Sequence, residues 1–259
     1  MSDIGWSGLA ISLLLVAAAV ALSLWRGLGL ERSITAAAAR ALVQLLAVGL
    51  ALQVLLRPET SLAWSWLWVL GMVLFAAETV RRRAREVPHL FPLALAAFGA
   101  AAVVVLGVLF GLGVFDLDAR TLIPLAGLMI GNSMTATVLV ARRVFEELRD
   151  KRAEVEARLA LGQPSAVAAA PYLRGALRTA LIPQIETTKA VGLVFLPGAM
   201  TGLILAGVDP LDAVQVQAAV MFVVLGSVST TTAIVALGVR RRLFTRDHRL
   251  VPMVRAAEE

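Results

Sequence analysis

Cysteine is absent from the 259 residues, histidine occurs twice and lysine twice, and only 16 % of the chain is charged. Without cysteine there is no disulfide framework, zinc ribbon or thiolate site. Soluble domains carry about 25 % charged residues and roughly 45–50 % apolar ones. This chain is 59 % hydrophobic, with a mean hydropathy of +0.84. So little charge could not keep a folded surface wet. A soluble enzyme, a disordered protein and a nucleic-acid-binding domain are thereby excluded. The N-terminal Met1-Ser2-Asp3 lacks the basic stretch and small-residue cleavage site of a signal peptide. What remains is a polytopic, all-α integral membrane protein, read as a single membrane domain over residues 1–259.

A helix needs about 20 apolar residues to cross the hydrocarbon core. Seven stretches qualify: roughly 5–25, 35–56, 61–80, 90–115, 121–141, 189–208 and 213–239. Of the 24 basic residues, all but Arg57 and Arg120 fall on one side if these spans alternate. Cytoplasmic loops attract Lys and Arg. The pattern therefore predicts an outside N-terminus, a cytoplasmic C-terminus and one long cytoplasmic connection, residues 142–188. The outer loops are short and acidic, with Asp116, Asp118, Asp209 and Asp212.

The charge spacing in that connection predicts a solvated helix over 142–158, with Glu147/Lys151 and Glu154/Arg158 at i, i+4. Gly162-Gln163-Pro164-Ser165 then breaks the chain direction. A milder helical stretch over 166–181 ends at Ile182-Pro183.

Ionisable groups inside a membrane are costly and are functional candidates by default. Glu78 precedes Arg81, Arg82 and Arg83 by one turn and is either an interfacial carboxylate paired with an arginine or a substrate ligand. Glu186 and Lys189 share a helix face, as a structural pair or as part of a gate. Gly127 and Gly131 form G-x-x-x-G, a spacing that permits close helix approach. Met129, Asn132 and Met134 on the same segment, together with Glu186, Lys189 and Met200, are the candidates for a translocation path, with Met129 and Asn132 sharing a face more than either does with Met134. The hydroxyls of segment seven can bond their own helix carbonyls and need no further role. Both histidines, His89 and His248, lie outside the spans. No tight intramembrane metal cage is therefore expected, and no ligand set is assigned. An intramembrane protease is disfavoured because Gly131-Asn132-Ser133 is followed by Met134-Thr135 and no membrane histidine can act as base. A retinal pump would need a lysine at mid-span, whereas Lys189 is at an edge.

Glu156-Ala157 followed by Gly162 matches the E-A-x-x-x-x-G spacing of the coupling loop in ABC importer permeases, although Pro183 lies farther from the glycine than in that pattern. More of the chain resembles the FetB-type permease family. The resemblance rests on Arg40-Ala41-Leu42-Val43-Gln44-Leu45, on 122–134 (LIPLAGLMIGNSM), on 180–204 (ALIPQIETTKAVGLVFLPGAMTGLI) and on Ala206-Gly207-Val208-Asp209-Pro210. It covers roughly residues 34–250. Ala199 departs from a second methionine expected beside Met200. The family comprises membrane subunits of a bacterial iron-export ABC transporter and related plant proteins of aluminium tolerance. The resemblance implies a bacterial inner-membrane permease that exports iron or a related metal ion. It implies a separate ABC ATPase docking on Glu156, Ala157, Gly162, Gln163 and Pro164, and a homodimer of permeases in the bilayer. ATP and Mg would be bound by that partner, because this chain lacks G-x-x-x-x-G-K-[ST] and carries no cofactor of its own. No nucleic-acid partner is expected. The alternative is a secondary transporter of a metal or small solute with no ATPase.

Overall fold

A computed structural model describes residues 6–57, 59–194, 196–245 and 247–252. The signal-peptide reading at Met1-Ser2-Asp3, and Arg246 and Arg255 in the basic count, lie outside the described residues. The described residues form helices α1 (Trp6–Arg26), α2 (Glu31–Leu55), α3 (Leu62–Arg83), α4 (Leu90–Gly111), α5 (Ala119–Asp150), α6 (Arg152–Ala160), α7 (Ser165–Ala168), α8 (Ala170–Ala190), α9 (Gly198–Leu205) and α10 (Pro210–Leu243). By packing, the chain divides into two compact units, Met1–Ser61 and Leu62–Glu259.

The first unit is a helical hairpin of α1 and α2. The Ser23 hydroxyl donates to Glu31 Oε1 at 2.7 Å and accepts the Leu30 N–H at 3.2 Å, which fixes the turn. No residue of α2 is buried, and Val43, Leu45, Leu50 and Val54 are all exposed. An apolar helix exposed all round is dressed for lipid, not water.

In the second unit, α10 runs along α5 and α4, α3 packs on α4 and α5, and α8 lies against α5 and α10. α5 begins at a capping box. Asp118 accepts the Thr121 N–H at 2.7 Å, and the Thr121 hydroxyl faces the Asp118 N–H. α10 begins at Asp209, which accepts the Leu211 N–H at 2.8 Å ahead of the helix-compatible Pro210. With 32 and 34 residues, these helices reach about 50 Å at 1.5 Å per residue. That exceeds a hydrocarbon core of about 30 Å. Small side chains are buried along both helices, Ala126, Ala136 and Ala141 on α5 and Ala213 and Ala236 on α10. Between membrane helices, where lipid is as apolar as leucine, such residues allow close van der Waals approach. Val103, Phe75 and Phe222 point outward instead.

Five described helices, α2, α3, α4, α5 and α10, are long and apolar enough to cross a membrane, rather than the seven expected; α1 contributes a shorter apolar stretch, Ala10–Arg26. The sixth expected span, 189–208, is not a continuous helix. α8 ends at Ala190, the chain breaks through Val191 and Gly192 (φ 85°), and α9 restarts only after Pro197. The milder stretch is also longer than expected, since α8 runs through Pro183. Beyond the proline, Thr187 donates to the Pro183 carbonyl at 2.9 Å and Thr188 to that of Gln184 at 2.8 Å. Nor is G-x-x-x-G a tight seam. A Cβ at Gly131 would meet nothing within 4 Å, and one at Gly127 only Met72 Cε at 3.8 Å. The close approach occurs at Gly238 of α10, where a Cβ would fall 2.3 Å from Leu93 Cδ1 of α4.

Candidate functional site

Two places carry the sequence candidates, a polar seam inside the bundle and an elbow at its end. The seam joins α5 to α10. The Ser133 hydroxyl bonds the Met129 carbonyl at 2.7 Å and the Ser227 hydroxyl at 3.1 Å. Ser227 also reaches the Val224 carbonyl at 3.0 Å. Thr137, Thr231 and Thr232 each donate to a carbonyl one turn back. All five side chains are buried. Their donors are satisfied, so this seam fastens two helices rather than opening a polar channel.

The path candidates are not gathered around it. Met129 is buried in the core and Met134 packs at its edge, whereas Asn132 is exposed and donates to its own Leu128 carbonyl at 2.8 Å. Met129 and Asn132 thus sit on opposite sides of the burial boundary of α5, despite their i, i+3 spacing. Glu186 and Lys189 pair at 2.9 Å and are both exposed on the last turns of α8. Met200 is half-buried on α9. Among the described residues no three His, Asp or Glu side chains cluster as a metal site. Glu78 is spent on arginine, accepting from Arg81 and Arg82 at 2.6 Å each. Three buried polar atoms of the bundle helices lack partners among the described residues: Ser65 Oγ, Trp68 Nε1 and Gln217 Oε1. They lie in the opening turns of α3 and α10.

The elbow follows α5. Residues 142–188, the long connection expected to be helical over 142–158 and 166–181, are largely helical, comprising the end of α5 with α6, α7 and most of α8. The anticipated Glu147/Lys151 and Glu154/Arg158 pairs do not form. Arg143 takes Glu147 at 2.9 Å, Lys151 takes Glu154 at 2.9 Å and Arg152 takes Glu156 at 2.7 Å. Lys151 stands at the turn between α5 and α6 and pairs forward, and Glu154 is taken by Lys151 and Tyr172. α6 ends with the Gly162 N–H on the Leu159 carbonyl and the Gln163 N–H on that of Arg158, a Schellman closure. Gly162 supplies the left-handed φ of 83° that this closure needs. Pro164 then starts α7.

Two braces hold the corner. Glu154 accepts the Tyr172 hydroxyl at 2.9 Å, linking α6 to α8, and the Arg158 guanidinium lies 6.0 Å from the Tyr172 ring centre. Lys151 and then Tyr172 hold the Glu154 carboxyl below its usual range. Burial, and then the Glu154 carboxylate, push the Tyr172 hydroxyl up. The second brace was not anticipated. After α10 the chain doubles back through an antiparallel bridge, Phe244 to Leu250, and buries Leu250. His248, at a left-handed φ of 59°, places Nδ1 3.3 Å from the Ser165 backbone nitrogen, whose N–H it accepts, and 2.9 Å from the Ser165 hydroxyl. A cavity of about 670 Å³ opens between Gly162 and Gln163 on one wall and Asp247 and Arg249 on the other. Glu156 and Pro164 line it too, Gln163 Oε1 is buried without a partner, and Ala157 and Leu161 are exposed beside it. Only long-range contact brings His248 to Ser165, so no local sequence signal pointed to it.

Comparison with known proteins adds what the geometry lacks. The model of UPF0014, described as an uncharacterised protein family, matches residues 6–244. The UPF0014 membrane protein STAR2 of Oryza sativa subsp. japonica is 42 % identical over 221 residues, covering 85 % of this chain and 77 % of that protein. The probable iron export permease protein FetB of Escherichia coli (strain K12) is 32 % identical over 243 residues, covering 94 % and 93 %. The Arabidopsis thaliana protein ALUMINUM SENSITIVE 3 is 35 % identical over 223 residues, covering 86 % and 81 %. No solved structure matches.

Proposed function

The chain belongs to the UPF0014 family of multi-pass membrane proteins, and from that premise we propose that it is the permease subunit of an ABC transporter that exports iron or a related metal ion. The observation that carries this reading is the elbow: a glycine corner braced from two sides, with an open cavity and an exposed Leu161 at its tip. A loop without a partner has no need of such bracing. A separate ATPase subunit that binds ATP and Mg fits this cavity with a short helix or loop. The metal as cargo is supported by one relative, a probable iron export permease.

On this reading the basic residues mark the cytoplasmic face of a bacterial inner membrane, the C-terminus is inside and the N-terminus outside. The broken α8–α9 limb is the sixth of seven crossings, and two permeases pair in the assembly. The elbow then has a mechanical route. α6 and α7 lead into α8, the Glu154–Tyr172 contact ties α6 to α8, and α8 runs to the break at Gly192. A push on the elbow reaches a place where, among the described residues, the helix is interrupted within an apolar segment. Interrupted helices of this kind supply oxygen ligands in transporters. Asn132, Glu186 and the backbone carbonyls at the break suit a weakly held hard cation in transit better than a fixed cage.

Substitution tests the coupling. Gly162→Val forces a β-branched residue into a left-handed conformation, at a cost of roughly 1–2 kcal/mol. With the ATPase co-expressed, the variant is expected to insert normally and to lose stimulation of ATP hydrolysis. Asn tolerates this conformation, so Gly162→Asn should retain most of it. Stimulation by Gly162→Val equal to that of the native chain rules out docking at the elbow.

A further inference from the structure

The corner between α3 and α4 holds a second cavity, of about 680 Å³, with a different chemistry. Arg81, Arg82 and Arg85 line one side; Phe91 and Pro92, from the first turn of α4, line the other. We propose that this corner binds the phosphate of an anionic phospholipid headgroup, with the lipid's acyl chains running down the apolar start of α4.

Depth is the first support. α3 has 22 residues and α4 has 22. Each is about 33 Å long, close to a hydrocarbon core of about 30 Å. Their junction therefore lies at headgroup level, where lipid phosphates are. Charge is the second. The two nearby carboxylates are already engaged: Glu78 by Arg81 and Arg82, and Glu86 by Arg142 at 2.8 Å. Arg85 is exposed and makes no hydrogen bond or ion pair among the described residues. One carboxylate against three guanidiniums leaves a surplus of positive charge facing the cavity. Arg82 engages Glu78 through Nε alone, so its terminal N–H groups are free for an oxyanion in the fork geometry that suits phosphate.

The corner is also fixed in place. Arg242, at the end of α10, donates to the His89 carbonyl. His89 sits at a left-handed φ of 52°. This contact brings a second arginine run, Arg240 to Arg242, to the same end of the bundle. α4 starts there with no side-chain cap, so its first N–H groups add a weak positive end to the same opening. A site for a soluble anion would not need an apolar wall continuous with the membrane-facing side of α4; a lipid uses both.

The test is lipid retention by the purified full-length chain. In detergent, the chain is titrated with phosphatidylglycerol or phosphatidylcholine, and bound lipid is counted by native mass spectrometry. Phosphatidylglycerol should be held in preference. Arg85→Gln, which breaks no internal contact, should weaken it roughly fivefold, the usual effect of one arginine at a membrane surface. Arg82→Gln should do the same, while Arg178→Gln, an exposed arginine on α8, should leave retention unchanged. Millimolar inorganic phosphate should not displace the lipid. Equal retention of both lipids, native-like retention by Arg85→Gln, an equal loss in Arg178→Gln, or displacement by free phosphate each overturns the assignment. The ATPase partnership plays no part in this measurement, so its outcome is separate from that proposal.

Discussion

The α5–α10 pair and the limb that ends in α9 are both rich in apolar residues, yet they are packed in opposite ways. In the pair, small side chains and satisfied hydroxyls lock two unbroken helices together, with Val228, Ser227 and Thr231 fully buried. In the limb, Gly192 and Pro197 interrupt the helix, and Leu193 is 91 % exposed. Apolar residues thus form a buried spine in one place and, in α9, a helix with no buried residue in the other. What separates them is burial and the continuity of the helix. A transporter needs both, a frame that holds its shape and a part that can move against it.

The contrast can be broken from the spine side first. Val228→Asp buries an unpaired charge between α5 and α10, a penalty of at least several kcal/mol. Little folded protein should survive, as read by monodispersity in size-exclusion chromatography. The limb answers differently. Gly192→Val strains a φ of 85° without a clash, since nothing lies within 4 Å of the new Cβ. It costs roughly 1–2 kcal/mol locally. Melting temperature should stay near native while metal flux falls. A collapse in melting temperature would show that the limb belongs to the spine. Smaller still is Ser227→Ala, which removes one interhelical contact and leaves Ser133 its bond to Met129. Such contacts average about 0.6 kcal/mol in membranes, so a shift of only a few degrees is expected.

The least energetic prediction concerns the elbow and pH. Glu154 titrates below its usual value of 4.5 because Lys151 and Tyr172 favour its charged form. A depressed carboxyl stabilises the fold fully above its unfolded pKa and loses that contribution as pH falls through the lower folded value. Proteolytic protection of the elbow should therefore be flat from neutral pH to about 4.5 and decline in stronger acid. Glu154→Gln should flatten that acid decline.

Much of the fold was legible because hydropathy and arginine placement are read over whole segments. The bounds of α2, α3, α4 and α10 follow the apolar runs to within a few residues. The interruption at 191–197 was hidden inside an apolar run that reads as one span, although Gly192 and Pro197 were its local signs. Pro183 misled in the other direction, since it reads as a stop and the helix continues through it to Ala190. The elbow's corner was legible, because Gly162 and Pro164 act locally. Its braces were not. Tyr172 lies 18 residues from Glu154 and His248 lies 83 from Ser165, and contacts at that range leave no periodic trace. The intramembrane candidates Met129, Asn132 and Met134 share a segment but not a surface, because the burial boundary of α5 passes between them.

The central claim is that this chain is a passive gate driven through its elbow by another subunit. Metal flux into sealed proteoliposomes, measured with and without the ATPase subunit at equal permease density, tests it most directly. The account predicts ATP-dependent flux only when both subunits are present, and none from the chain alone under a proton gradient. Uphill transport by the lone chain would contradict it.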